Sequence, residues 1–305
     1  MQKVSSMRRK EMIAGFLFIM PWLLGFLIFT LGPLVASFII SLCKWDLMNT
    51  PTFIGLKNYK FLFRDPNFWN ALRVTAIYSF CRLPIMVTLG LLVAILLNQK
   101  IKCLGMFRTI FYLPSVLPMV ATSMLWMWIF NPQYGILNWF LWRYFNIQGP
   151  AWLGDEQWIL PAFILMSLWW VGSNMLVYLG GLQGIPTELY EAAEIDGAGM
   201  FARFRHITLP MISPVLFYNI ITTLINSFET FTQVFVMAGE IPRKNAQFYI
   251  MYLYNNAFRY FKMGYASALA WIFFLILLIF TLLIFKSSSA WVYYEGTAKG
   301  DEKNG

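Results

Sequence analysis

The sequence predicts an all-α integral membrane protein with about six transmembrane helices. Two observations carry that prediction. Of 305 residues, 59% are hydrophobic, 19% aromatic and only 12% charged, whereas soluble domains carry about a quarter charged residues. Apolar runs of about twenty residues or more also recur, each long enough to cross a bilayer as a helix. They fall at 12–42, 74–97, 109–130, 159–182, 211–237 and 264–285. The expected organisation is an N-terminal tail at 1–11, a transmembrane domain at 12–286 and a C-terminal tail at 287–305.

The first run is long and interrupted by Pro21 and Pro33. Its basic flank resembles a signal peptide, but the run is too long and no small-residue cleavage site follows, so it reads as a retained first helix. Lys3, Arg8, Arg9 and Lys10 precede it, and Lys100, Lys102 and Arg108 lie in or beside the loop after the second run. The positive-inside rule puts both groups in the cytoplasm. Lys57, Lys60, Arg243 and Lys244 fall on the other side and weigh against this orientation. With the first helix dominant, six spans place both termini and the 183–210 segment inside. The net charge of +9 is then a matter of topology, and no nucleic-acid partner is expected.

Catalysis finds little support. No G-x-x-x-x-G-K-[ST] loop is present to cradle nucleotide phosphates. The single histidine, His206, lies between Arg205 and Ile207 in a charged segment, which argues against His-rich metal sites and Ser-His-Asp chemistry. Cys43, Cys81 and Cys103 have no metal or redox spacing and read as packing residues. No catalytic residue and no metal ligand is expected.

The fifth span is the most polar. Asn219, Thr222, Thr223, Asn226, Glu229, Thr230 and Gln233 step by three and four, the spacing of one helix face. Unpaired polar groups facing lipid would each cost several kcal/mol, so the stripe must face other helices or a water-filled route. Thr222 and Thr223 suit interhelical bonding. Asn226, Glu229, Thr230 and Gln233 suit a substrate route, Glu229 being an ionisable group inside a span. Phe228 and Phe231 flank them and could offer flat faces to sugar rings. In the fourth span Ser167, Trp170, Asn174 and Tyr178 share a face; with Trp169 and Ser173 they are candidate pocket-lining residues. Arg82, beside Pro84 in the second span, can snorkel outward, pair with a carboxylate such as Glu229, or hold an anionic substrate. Pro114 and Pro118 predict a kinked third span.

Between the fourth and fifth spans lies a polar segment. Thr187 is a candidate N-cap after Pro186, and Glu188 sits in the first turn, where carboxylates suit the helix dipole. Ala192 and Ala193 keep the surface low for a partner. Asp196-Gly197 ends the helix, Gly197 being able to take the left-handed conformation. A second short helix, about 199–206, leads to Leu209-Pro210. This helix–turn–helix looks like a docking element.

Glu191-Ala192-Ala193, Asp196-Gly197-Ala198, Phe204, Ile207 and Leu209-Pro210 match at full spacing the EAA signature, and the chain thereby resembles the permeases of ATP-binding-cassette importers. Gly55-Leu-Lys-Asn-Tyr59, Phe68-Trp-Asn-Ala-Leu-Arg73, Phe107-Arg-Thr-Ile-Phe-Tyr-Leu-Pro114 and Phe130-Asn-Pro-Gln-Tyr-Gly135 resemble the carbohydrate-uptake, maltose-type branch. The resemblance covers roughly residues 12–286. It implies a type I importer fold with a second homologous permease subunit, two cytoplasmic ATPase subunits and an extracytoplasmic sugar-binding protein. The setting would be a bacterial or archaeal cytoplasmic membrane with its lipid. It implies no cofactor on this chain, ATP and Mg being bound by the partner ATPase. Residues 187–210 would be the coupling segment, with Glu191 engaging a basic group and Gly197 shaping the turn. Residues 226–233 and 169–178 occupy places comparable to those of sugar contacts. Met237-Ala-Gly239-Glu-Ile-Pro242 lacks the fuller glycine run of the family, no large external domain is present, and Arg82 is not a family feature. Two rivals stay open: an ion-gradient-driven secondary transporter with Glu229 and Arg82 as a relay, and a membrane assembly subunit without transport.

Overall fold

A computed structural model describes residues 6–99, 102–240 and 242–293. Lys3 and Lys100, used above to orient the chain, and the end of the C-terminal tail lie outside these residues. In chain order the helices are α1 (Ser6–Phe26), α2 (Gly32–Ser41), α3 (Lys57–Arg64), α4 (Pro66–Leu97), α5 (Leu104–Val116), α6 (Met119–Ile129), α7 (Ile136–Phe145), α8 (Ile159–Ser167), α9 (Val171–Gln183), α10 (Thr187–Ile195), α11 (Met200–Arg203), α12 (Leu209–Met211), α13 (Ser213–Phe228), α14 (Thr232–Ala238), α15 (Tyr249–Tyr254) and α16 (Met263–Ser288). One antiparallel pair, Cys43–Lys44 with Thr52–Phe53, follows α2. Among the described residues, five stretches are long and apolar enough to span a membrane, and a sixth span forms if the bent pair α5 and α6 is counted as one. The six expected runs correspond to these.

The chain divides into two units, Met1–Asp65 with Leu253–Phe274 and Pro66–Tyr252 with Leu275–Gly305. In the first, α1 and α2 are joined by a π-turn at Leu27–Leu31. Pro33 has no N–H and crowds the carbonyl four residues back, so the ladder widens there; Gly32 donates to Leu27, five residues earlier. No residue of the most apolar stretch of Arg9–Ser41 is buried within the chain, a surface that needs lipid or protein cover. The start of α16 is pinned instead. Gly264 lies so close to the Cys43 carbonyl that no Cβ would fit, and the Tyr265 hydroxyl donates to the buried Asp65 carboxylate at 2.9 Å. Asn58 ties the Ser41 and Cys43 carbonyls at 2.8 and 2.9 Å.

The second unit is built on α4, α9 and α13. At about 1.5 Å per residue, the 32 residues of α4 extend about 48 Å, well beyond a hydrocarbon core of about 30 Å. Asp65, extended as a residue before proline must be, ends α3, and Pro66 opens α4. Small residues bring the helices together, as in membrane packing generally. A Cβ at Gly90 would sit 2.9 Å from Asn174 Cβ, one at Gly181 2.8 Å from Val215, and one at Gly172 would strike the Phe111 carbonyl. The core between them holds Ala94, Met175, Tyr178, Leu179, Leu182 and Ile212.

The kink expected from Pro114 and Pro118 is located at the second. Leu117 and Pro118 both leave the helical region, and α5 and α6 meet at 99°. Pro114 stays inside α5. The fifth run is not one continuous helix, as a single polar face had assumed. It breaks between α13 and α14 at Glu229–Phe231, where Glu229 has φ −82°, ψ 12° and Phe231 φ −121°, ψ −61°.

A polar cavity at a helix break and an exposed turn

The break in the fifth run lies on a cavity of about 370 Å³, within the range of roughly 300–1,000 Å³ common for small-molecule sites. Irregular backbone at membrane depth is tolerated where it lines such a space. Of the twelve residues expected on the route, Arg82, Trp170, Ser173, Asn174, Asn226, Glu229, Thr230, Phe231 and Gln233 line it, joined by Met86, Met119 and Thr232. Asn226 and Glu229 are exposed to it, while Thr230 and Gln233 are buried. The break lets residues 226, 229, 230 and 233 reach one space although they do not continue one helix.

Phe228, Trp169 and Tyr178 are not brought to the cavity. Phe228 points to the opposite side of α13 and packs on Phe80 and Phe280, with centroids 6.4 and 5.7 Å away. A 3-10 turn at Leu168–Trp170 shifts the phase of the fourth span. Trp170, Ser173 and Asn174 thus face the cavity while Trp169 meets Trp126 edge-on at 5.8 Å. Tyr178 shares the face of Asn174 but lies a turn farther on, fully buried beside Gly90. Ser167 is also buried, bonded to the Ile164 carbonyl.

Arg82 does not snorkel outward, and it makes no ion pair with Glu229. Its Nη1 donates to Ser227 Oγ at 2.9 Å, and its guanidinium carbon is 5.9 Å from the centre of the Tyr78 ring, within cation–π reach. Ser227 in turn donates to the Thr223 carbonyl. Asn174 Nδ2 donates to Thr223 Oγ1 at 2.9 Å across α9 and α13, so Thr223 bridges helices as expected. Thr222 instead bonds the Tyr218 and Asn219 carbonyls of its own helix. Ser227 was not singled out in the sequence; its spacing of four from Thr223 was the available signal.

The Glu191–Pro210 segment is helical, as anticipated, with three adjustments. Thr187 is the first residue of α10 and makes no cap; Pro186 holds the cap position. The second helix is α11, a π-turn at Phe204–Thr208 and α12 in succession, so the path reaches Met211 rather than ending near 206. His206 bonds the Ala202 carbonyl through Nδ1. Between α10 and α11, Gly197 has φ +78°. Its N–H bonds the Glu194 carbonyl at 3.0 Å, and the Ala198 N–H bonds Ala193 at 2.8 Å. That pair of bonds defines a Schellman ending.

Tyr190 bonds Thr208 at 2.9 Å, and Arg203 pairs with Glu194 at 3.2 Å, holding the two helices as a hairpin. Glu191, Ala192, Asp196 and Gly197 are exposed; Ala193, Ala198, Phe204, Leu209 and Pro210 are half-buried. Ile195, Met200 and Phe201 are 86%, 80% and 75% exposed. Three large apolar side chains around one turn are thus left uncovered by this chain. Apolar residues are common throughout the sequence, so hydropathy does not distinguish them.

Residues 86–291 match the family described as binding-protein-dependent transport system inner membrane component. The chain is 40% identical over 297 residues to the probable ABC transporter permease protein YesP of Bacillus subtilis, covering 96% of each. It is 34% identical to the trehalose/maltose transport system permease protein MalF of Thermococcus litoralis, covering 92% of this chain and 96% of that one. A crystal structure of a bacterial ABC transporter involved in importing the acidic polysaccharide alginate matches with a TM-score of 0.82 at 22% identity. The match covers 92% of this chain and 96% of that one, and it shows the ABC importer permease fold. These are transport components rather than enzymes. This chain belongs to the inner-membrane components of binding-protein-dependent transport systems, the multi-pass permease subunits of ABC importers.

Proposed function

We propose that the chain forms half of a sugar translocation pathway and couples it to ATP hydrolysis through residues 187–210. The observation that carries the sugar reading is the composition of the cavity. Asn226, Glu229, Thr230 and Gln233 supply hydroxyl-bonding groups, while Trp170 and Phe231 supply ring faces. Amides and carboxylates that bond hydroxyls, set beside flat apolar surfaces, suit a pyranose. The trehalose/maltose permease among the relatives supports the same substrate class.

On this reading a second, homologous permease supplies the other wall of the route, which accords with the exposure of Asn226 and Glu229 on a lone chain. An extracytoplasmic binding protein delivers the sugar. Two ATPase subunits bind ATP and magnesium, and one of them receives Glu191, Asp196–Ala198 and the exposed Ile195, Met200 and Phe201. Both termini and the 187–210 segment lie in the cytoplasm, and lipid covers the unburied face of the first span. ATP binding draws the coupling segments together and turns the cavity outward; hydrolysis resets it. ATP acts only through contacts that differ between the two states.

The test is ATP-dependent uptake by the complete importer in proteoliposomes. Glu229→Ala and Asn226→Ala should each lower sugar uptake at least several-fold with assembly intact. Unchanged uptake kinetics in both would remove the cavity from the route.

A further inference from the structure

Resting on the sugar reading above, we propose that the cavity takes a saccharide bearing a carboxylate and that Arg82 receives that group. Arg82 is a cation within a membrane span, where a charge is retained only with a partner or a function. Its guanidinium has five N–H donors arranged as a fork that matches a carboxylate. Only Nη1 is engaged, by the neutral Ser227 hydroxyl. Nε is buried with no acceptor, and among the described residues Arg82 has no ion-pair partner. The serine hydroxyl and the Tyr78 ring hold the guanidinium, but neither supplies a counter-charge. The Tyr78 ring and Ser227 fix the head group at the cavity wall.

The only other ionisable residue lining the cavity is Glu229. It lines the same space without closing on Arg82, although a carboxylate within 4 Å would have neutralised the charge. The cavity therefore presents a cation without a counter-charge at one place and an exposed acceptor at another. A neutral sugar would use Glu229, Asn226 and Gln233 and leave Arg82 without a counter-charge. A uronic sugar satisfies both ends, its carboxylate on the Arg82 fork and its hydroxyls on Glu229 and the amides. The two anionic groups, one of substrate and one of protein, are kept apart by the sugar ring.

The experiment compares matched pairs. The complete importer, with its partner subunits and binding protein, is given galacturonate- and glucuronate-containing disaccharides and trisaccharides. Each is paired with the neutral galactose or glucose counterpart of the same linkage. The acidic member should be taken up at least tenfold faster within the transported pairs. Arg82→Gln should cut acidic uptake at least tenfold, chiefly through KM, and erase the preference. Arg82→Lys, a point charge without the fork, should fall between them, and it decides the matter with the wild-type preference if Arg82→Gln does not assemble. Uptake of neutral members only, or an acid preference that survives Arg82→Gln, overturns this proposal and leaves the sugar reading standing. Should no saccharide of either kind be carried, the sugar reading itself fails, and this inference with it.

Discussion

Replacing Gly197 tests the proposed coupling role of its turn most directly. Gly197 stands at φ +78°, and a Cβ there would meet no atom within 4 Å. The penalty for a side chain is therefore conformational, not steric: about 1–2 kcal/mol for an ordinary L-residue held in the left-handed region. That equals a factor of roughly 5–30 in the balance between the closed turn and alternatives lacking the Glu194 and Ala193 bonds. Asparagine tolerates this region, so damage should rise from Gly197→Asn through Gly197→Ala to Gly197→Val. The measurement is ATP-dependent uptake into proteoliposomes, normalised to permease incorporated, beside the thermal stability of the purified complex. Uptake should fall in that order, while any loss of stability stays within that same penalty of about 1–2 kcal/mol. If Gly197→Asn is as damaging as Gly197→Val, side-chain size against a partner governs the site and the conformational argument is wrong. Undiminished uptake in all three would remove this turn from coupling altogether.

Four further outcomes are expected. Gly172→Ala, whose Cβ would strike the Phe111 carbonyl, should cost about 1–3 kcal/mol as overpacking. Gly180→Ala, with nothing within 4 Å, should be neutral or slightly stabilising; melting of both variants in detergent, followed by size-exclusion fluorescence, separates them. A double-mutant cycle of Asn174→Ala and Thr223→Ala should return a coupling of about 0.6 kcal/mol, the usual scale for a hydrogen bond between membrane helices; additivity would mean that the 2.9 Å contact contributes nothing. Tyr265→Phe removes a bond to the buried Asp65 carboxylate and should destabilise the chain by about 1.5–3 kcal/mol, read by the same melting assay.

Much of this molecule is legible in its sequence because a bilayer leaves few choices. Runs of twenty apolar residues must become helices, and Pro114 with Pro118 and Gly197 point to a bend and a left-handed ending. Hydropathy could not reveal how these act. The size of the bend at Pro118 depends on Leu117 leaving the helix with it. The break at Glu229–Phe231 has no glycine or proline to announce it, so helical spacing was extended through it. Residues near the break still reached the cavity, since a short irregular stretch redirects only its own side chains. Phase matters most at Phe228, Trp169 and Tyr178, which do not line the cavity. One residue's rotation, or one turn along the axis, separates a cavity wall from the core. Ile195, Met200 and Phe201 escaped notice because apolar residues are ordinary in such a chain; only their exposure makes them informative.

The break at Glu229 also determines how far a push can travel. α13 begins just past Leu209-Pro210, where the exposed hairpin's path ends, and runs unbroken for 16 residues, about 24 Å. It has no proline beyond its first turn, and α4 and α9 flank it. A displacement applied at the hairpin would move this rod as a unit and deliver its full stroke to Asn226 and Glu229. There the backbone leaves the helical ladder before Thr232–Ala238, so the stroke would meet a joint at the cavity rather than a continuous rod.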